Sequence, residues 1–227
     1  MIPEFSIIIP VLNEAGIINN TIAHIRSRAF GFSHEIIVSD GDESGATINV
    51  IKAERIITCA GSRGRGSQMN QGAALATGLV LLFIHADTRL PEKAFESMNA
   101  ALSRPHIAGG AFDLGIASSK KAFKVIGAIA SLRSRLTRIP YGDQAIFIRT
   151  RLFRQMGGYA PIPLMEDIDL MQRIRQSGLA IDIIKRPVMT SPRRWESSGI
   201  IFTTLRNLVL STLFYLGVSA ERLARYY

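Results

Sequence analysis

The chain lacks several features that would each have declared a class. It has one cysteine in 227 residues, which rules out an intramolecular disulfide. No apolar run reaches the roughly 18–20 residues that a membrane-spanning helix needs. The nearest approach, GIIFTTLRNLVLSTLFYLGVSAERLARYY from Gly199 to Tyr227, is interrupted by Arg206 and Asn207. No GK[ST] follows the glycine-rich stretch, so there is no P-loop. The opening MIPEFSIIIPVLNE has no basic n-region, which makes the cytoplasm the expected compartment. Acids are also scarce. With 18 Asp and Glu against 27 Lys and Arg, the net charge of +9 asks for an anionic partner: a phosphorylated ligand, a membrane surface or nucleic acid. Nucleic acid is disfavoured, because the cations are scattered and no helix-turn-helix, zinc-finger or RRM-type signature is present.

What is present is globular. A hydrophobic content of 47% excludes disorder, and the length suits one domain, residues 1–227. The first half alternates apolar, β-branched runs at 5–10, 35–40, 55–60 and 79–87 with helix-compatible segments at Glu14 to Arg28, Ser44 to Ala53 and Ser67 to Thr77. That alternation predicts βαβ units and a parallel sheet. Pro91 opens a further helix ending near Ser103. After residue 105 the pattern becomes mixed: GGAFDLGI (109–116), an amphipathic stretch from Lys120 to Arg138, a strand at QAIFIR (144–149) and a helix from Met165 to Ser177. The basic, apolar C-terminal stretch suits either a helix packed on the core or one lying on a membrane.

Polar residues gather where the strands end. Asn13 and Glu14 follow the first, Asp40 and Asp42 the second, His85 and Asp87 the fourth. In a parallel sheet those ends lie side by side and form the ligand crevice. Acids beside arginines there suggest a nucleotide site, since carboxylates accept from ribose or hold a hard cation while guanidinium groups take phosphate oxygens. DGDESG (40–45) is also readable as a helix-capping turn, and GSRGRGSQMNQG (61–72) as a surface loop or as a phosphate-approaching one. LMEDIDLMQRIRQSG (164–178) puts Glu166, Asp167 and Asp169 in one helical turn; one acid would serve the helix dipole, but three leave a carboxylate for general-base work.

Taken in order, SIIIPVLNE, VSDGDESGAT, SRGRGSQMNQGAALATGLVLLFIHADT, GDQAIFIRTRLFRQMGGY and LMEDIDL resemble the family 2 glycosyltransferases, and specifically a bacterial subgroup with H-A-D-T in place of D-x-D. The resemblance implies a GT-A fold: α/β, a mostly parallel central sheet flanked by helices, with a Rossmann-like N-terminal half. It implies a nucleotide-sugar half at 1–104, an acceptor and catalytic half at 105–195, and a C-terminal helical segment at 196–227.

It further implies an inverting, metal-dependent transfer from a nucleotide diphosphate sugar, with UDP the favoured nucleotide. Asp167, with Glu166 beside it, would be the base, and Asp87 would hold Mg²⁺ or Mn²⁺. Pro10, Asn13, Glu14, Asp40, Asp42, Arg63, Arg65, Gln68, Asn70 and His85 would form the nucleotide side; His85 is open between ribose or phosphate contact, metal ligation and filling space. Gly109, Gly110, Asp143, Arg193, Arg194 and Trp195 would form the acceptor side. Arg194 and Trp195 resemble the end of Q-x-x-R-W, whose Gln is missing, so transfer of a single sugar is expected rather than processive synthesis. The acceptor is open between a lipid-linked and a small soluble alcohol, and the apolar C-terminal helices leave room for peripheral membrane contact at the inner face or for a homodimer. A nucleotidyltransferase and a catalytically idle binding module are the alternatives.

Overall fold

In the computed structural model, which describes residues 2–227, the first-half apolar runs become strands, buried on both faces except at the half-exposed edge strand formed by 56–60. The strand β1 (Phe5–Val11) has no exposed residue. Its alternation sorts the core: Ile7 and Ile9 face one helical layer, Ile8 the other. The parallel strands β2 (His34–Asp40), β3 (Ile56–Ala60) and β4 (Val80–Phe83) join it in the order β3-β2-β1-β4. Helices α1 (Ile18–Arg28) and α3 (Ala94–Leu102) cover the first face, and α2 (Arg65–Leu75) covers the second. The register aligns Val11 with Asp40 and Asp40 with Ala60, so the loops after these strands open on one edge.

The second half extends the same sheet. β5 (Ile107–Ile116) leads into α4 (Lys121–Thr137), β6 (Phe147–Arg149), α5 (Thr150–Gln155), α6 (Glu166–Gln176) and β7 (Ala180–Thr190). β6 lies antiparallel between β4 and β5, and β7 runs parallel to β5 at the edge. The chain ends in α7 (Arg193–Ser198), α8 (Ile200–Tyr215) and α9 (Ala220–Ala224), separated at Gly199 and Gly217, which adopt φ of 87° and 90°.

Three expectations change. The segment 44–53 is not an α-helix but a loop with one 3₁₀ turn at Ile48–Val50, because the buried Asp40 carboxylate accepts N–H bonds from Asp42 (3.0 Å) and Thr47 (2.9 Å) and fixes a turn there. β7 was not expected, since Lys185, Arg186 and Pro187 interrupt its apolar pattern. An edge strand tolerates them, and a register shift between Phe112 and Asp113 sets Pro187 opposite Asp113. The glycines 109 and 110 are strand residues with no free face for an acceptor: a Cβ on Gly109 would collide with the Phe147 carbonyl and one on Gly110 with that of Asp182. They exist to let β5 lie close between its neighbours. Gly109→Ala is therefore expected to lower stability by about 2–3 kcal/mol, read from the urea midpoint at unchanged slope.

Candidate active site

The turn before β6 is built from the inside. Gln144 is fully buried; its Nε2 donates to Phe112 O (2.8 Å), while its Oε1 accepts from Tyr141 N (3.1 Å) and Ser134 Oγ (2.7 Å). That brace presents Gly142 and Asp143 toward α6. Gly142 N–H donates to Asp167 Oδ2 at 2.6 Å, and Asp167 Oδ1 accepts the N–H of Ile168 at 2.8 Å. A Cβ on Gly142 would lie 3.5 Å from Asp167 Oδ2 and 3.6 Å from His85 Nε2, so His85 and Asp167 face each other across the bare glycine.

Around this point Arg65, His85, Asp87, Tyr141, Asp143, Asp167, Arg194 and Trp195 line one cavity of about 170 Å³. Residues as far apart in sequence as Arg65 and Tyr227 meet because α2, the end of β4, the β6 turn, α6, the end of β7 and the C-terminal segment converge there. Thr190 and Ser191 at the end of β7, and Asn207, Ser211 and Tyr227 from the C-terminal segment, complete the wall. Sequence reasoning missed these. Tyr141 could have been found by its adjacency to Gly142, and Asn207 as a polar break in an apolar helix, whereas Thr190 and Ser191 required β7.

Electrostatically the cavity is a contest between acids and Arg65. Arg65 Nε lies 3.4 Å from Glu166 Oε1, and burial together with Asp167 pushes the Glu166 carboxyl upward while Arg65 pulls it back. Glu166 is thus a buried anchor for Arg65, and Asp167 is the acid that faces the cavity. Burial, reinforced by Arg65, lowers His85 to about 4, so the imidazole is neutral. Burial raises Asp143 to about 6, opposed by Arg133 and aided by Asp167; its Oδ1 is shut from water with no partner among the described residues. The same burial, with Arg65 and Arg206 nearby, lowers Arg194 to about 10, and its guanidinium lies 4.2 Å over the Tyr227 ring.

The remaining expected site residues divide. Asn13, Asp42 and Arg63 surround an open pocket of about 520 Å³ at the ends of β1 and β2. Glu14 and Asp87 meet through Arg193, whose Nη2 is 3.0 Å from Glu14 and 3.4 Å from Asp87. Four others serve the scaffold instead. Asp40 is fully buried in its turn, and Pro10 is a buried β1 residue paired with Ser39. Gln68 spends its amide N–H bonds on Val11 O and Ser39 O, and Asn70 exchanges two bonds with the Tyr159 backbone. Trp195 is buried against Phe123, with ring centroids 6.0 Å apart, yet its edge borders the cavity.

Among the described residues, no group of three or more His, Cys, Asp or Glu side chains is placed to hold a metal ion. The donor set at Asp87 is one carboxylate, which also faces the Arg193 guanidinium at 3.4 Å, beside a neutral imidazole; that would suit only a Mg²⁺ or Mn²⁺ that takes its other oxygens from phosphate and water rather than from a protein cage.

The profile of the family described as glycosyl transferase family 2 matches residues 6–161, most of the chain. The chain belongs to that family. It is 31% identical over 164 residues to PGL/p-HBAD biosynthesis glycosyltransferases of Mycobacterium bovis and Mycobacterium tuberculosis, covering 69% of this chain and 63% of theirs. It therefore spans less than two thirds of the length of these curated relatives. The fold is similar to that of a mannosyltransferase from Pyrobaculum calidifontis solved in complex with GDP-Man and Mn²⁺, with a TM-score of 0.60, 17% identity, and coverage of 83% of this chain and 56% of that one. The sheet and its flanking helices are thus of the GT-A type.

The raised carboxyl of Asp143 has a stability consequence. Its folded value of about 6 exceeds the ordinary 3.8, so the folded state holds the proton more tightly and wild-type stability falls as pH rises through that window. Asp143→Asn removes the penalty. The variant should melt a few degrees higher than wild type above about pH 7, and the gap should close near pH 4 in thermal scans across that range.

Proposed function

We propose that the chain is an inverting, metal-dependent glycosyltransferase that moves one sugar from a nucleotide diphosphate sugar to an acceptor hydroxyl. The observation that carries this is that Asp167 and His85 face each other across the bare Gly142 in one cavity that Asp87 also lines. The 1–104 half would hold the donor, with Asn13, Asp42 and Arg63 beside the nucleoside and the Nη donors of Arg65, joined by those of Arg194 from the C-terminal part and unpaired among the described residues, near the diphosphate. A UDP conjugate is our reading of the nucleotide, and a GDP conjugate is the alternative, as GDP-Man is the ligand of the Pyrobaculum mannosyltransferase. Asp87 would hold a divalent cation whose charge offsets that developing on the diphosphate as it leaves.

Asp167 would take the proton. Its oxygens each accept a backbone N–H, which orients the carboxylate and leaves lone pairs for a hydroxyl. The acceptor oxygen forms a bond to the anomeric carbon from the face opposite the leaving group, and its proton goes to Asp167. The bond from that carbon to the phosphate oxygen breaks, and its electron pair departs with the nucleoside diphosphate. One displacement inverts the centre. Gly142 keeps the space between His85 and Asp167 clear for the reacting sugar.

Asp167→Asn is expected to lower transfer by about 10²–10⁴-fold, measured as nucleoside diphosphate release, while calorimetric nucleotide affinity stays within about twofold. Unchanged turnover would remove Asp167 from the base role. Chelation with EDTA should weaken nucleotide binding in wild type, and Asp87→Ala should abolish that metal dependence; pyrophosphate rather than nucleoside diphosphate as product would favour nucleotidyl transfer.

A further inference from the structure

Two helices are inside out. On α8 the buried residues are Thr203, Leu210 and Ser211, whereas Ile201, Phe202, Leu205, Leu208 and Val209 are each more than half exposed. On α4 the buried face is Phe123, Gly127, Ser131 and Ser134, while Val125, Ile129, Leu132 and Leu136 point outward. A helix on a water-facing surface normally does the reverse. The buried serines are bonded inward: Ser131 Oγ accepts Leu114 N–H at 2.9 Å, and Ser134 Oγ donates to Gln144 at 2.7 Å. The outward apolar faces are therefore built in, with the polar positions committed to the interior.

Between the two helices runs a groove of about 200 Å³, floored by Leu114 and walled by Ile126, Ile129 and Leu208. Tyr141, Asp143, Trp195, Asn207 and Ser211 line both this groove and the cavity that holds Asp167, so the two adjoin across a shared wall. At their junction Asp143 Oδ1, Trp195 Nε1 and Asn207 Oδ1 are buried and have no partner among the described residues. An apolar groove whose wall toward the Asp167 cavity holds unpaired polar atoms suits a molecule with an apolar tail and a hydroxyl head. The charge on its two helices is cationic, the nearby acids being Asp143 within the groove and Glu196, which pairs with Lys120. α4 and the segment 199–220 contain no Asp or Glu, and Lys121 and Lys124 are exposed at the start of α4.

We propose that the α4–α8 face rests on an anionic bilayer and that the groove admits the chain of a membrane-borne lipid alcohol, delivering its hydroxyl to Asp167. This rests on the glycosyl-transfer reading for its chemistry, which is the displacement given above with the lipid hydroxyl as acceptor. The apolar faces supply burial in the lipid interface, and the lysines supply attraction to its phosphates. No helix among the described residues is long and apolar enough to cross a membrane, so the contact is peripheral in geometry.

The test is flotation of the full chain with phosphatidylcholine vesicles, with and without phosphatidylglycerol. The chain should float with the anionic vesicles, and Leu132→Glu with Leu205→Glu should reduce the bound fraction about tenfold. Phe30→Glu, the same change at a residue 89% exposed outside the face, should leave it intact. Circular dichroism establishes that each variant is folded. The groove is read separately through Trp195, the single tryptophan, which anionic vesicles with brominated acyl chains should quench and unbrominated ones should not. No flotation, equal flotation of all variants, or flotation without bromine quenching overturns the proposal. So does a dimer that dissociates in the double variant while vesicles are ignored. Metal-dependent nucleotide binding is measured in parallel: its absence in a chain that floats and is quenched sinks the transfer reading but leaves the lipid surface standing.

Discussion

The hydrogen bond from Gly142 N–H to Asp167 Oδ2, 2.6 Å long, is the joint on which the site depends. Each end is held by a different part of the molecule. Gln144 fixes the Gly142 turn from beneath, through bonds to β5, α4 and Tyr141. Asp167 is held because α6 buries Ile168, Met171 and Ile174, and because Arg173 donates to the carbonyls of Met156 and Gly158. Loosening either support would leave the carboxylate free to rotate, and a base must hold its geometry against the bond being made.

The neighbouring acid explains how the two halves of the chain are coupled. Glu166 is almost fully buried, a position a carboxylate occupies only with a compensating charge. Arg65, at the start of α2, supplies that charge while its other nitrogens remain available. α2 can approach so closely because residue 66 is glycine: a Cβ there would meet the Ala160 carbonyl at 3.2 Å and the Glu166 Cβ at 3.4 Å. In the proposed transfer Glu166 would therefore position a guanidinium rather than move a proton. Any anion that binds Arg65 also senses Glu166, so the proposed donor and acceptor sides would share one electrostatic balance.

What the sequence disclosed follows from range. Strands buried on both faces write their identity into continuous apolar runs, so β1, β2 and β4 and the edge where they end were readable, and with them Asp42, Asp87 and His85. The acid turn of α6 was readable because helix periodicity is local. Gly109, Gly110, Gln68 and Asn70 stand beside chemistry in sequence but serve packing in space, and only the placement of β6, β7 and the Tyr159 turn reveals it. β7 escaped because an edge strand need not be apolar, and its loss hid Thr190 and Ser191. Asp40 looked like a ligand for the same reason that it makes a good brace: a carboxylate accepts backbone N–H groups as readily as ribose hydroxyls.

The C-terminal segment shows how one helix can answer to two surroundings. α8 turns Asn207 and Ser211 toward the cavity and leaves Ile201, Phe202, Leu205, Leu208 and Val209 outside, so its polar face is selected by the site and its apolar face by whatever lies beyond. Swapping the faces would give an ordinary surface helix but would strip the cavity wall of its hydrogen-bonding groups. Keeping them leaves an apolar surface that water alone does not favour. Arg206 softens this conflict, crossing the Phe202 and Tyr227 rings at 5.5 and 5.0 Å and donating to Tyr227 O at 3.1 Å, so that its charge is drawn along the helix toward the cavity mouth. The outer face is left without a cation at its centre, and the lysines stand at its margin, at the start of α4. An apolar centre with a cationic border matches an interface whose interior is hydrocarbon and whose rim is phosphate.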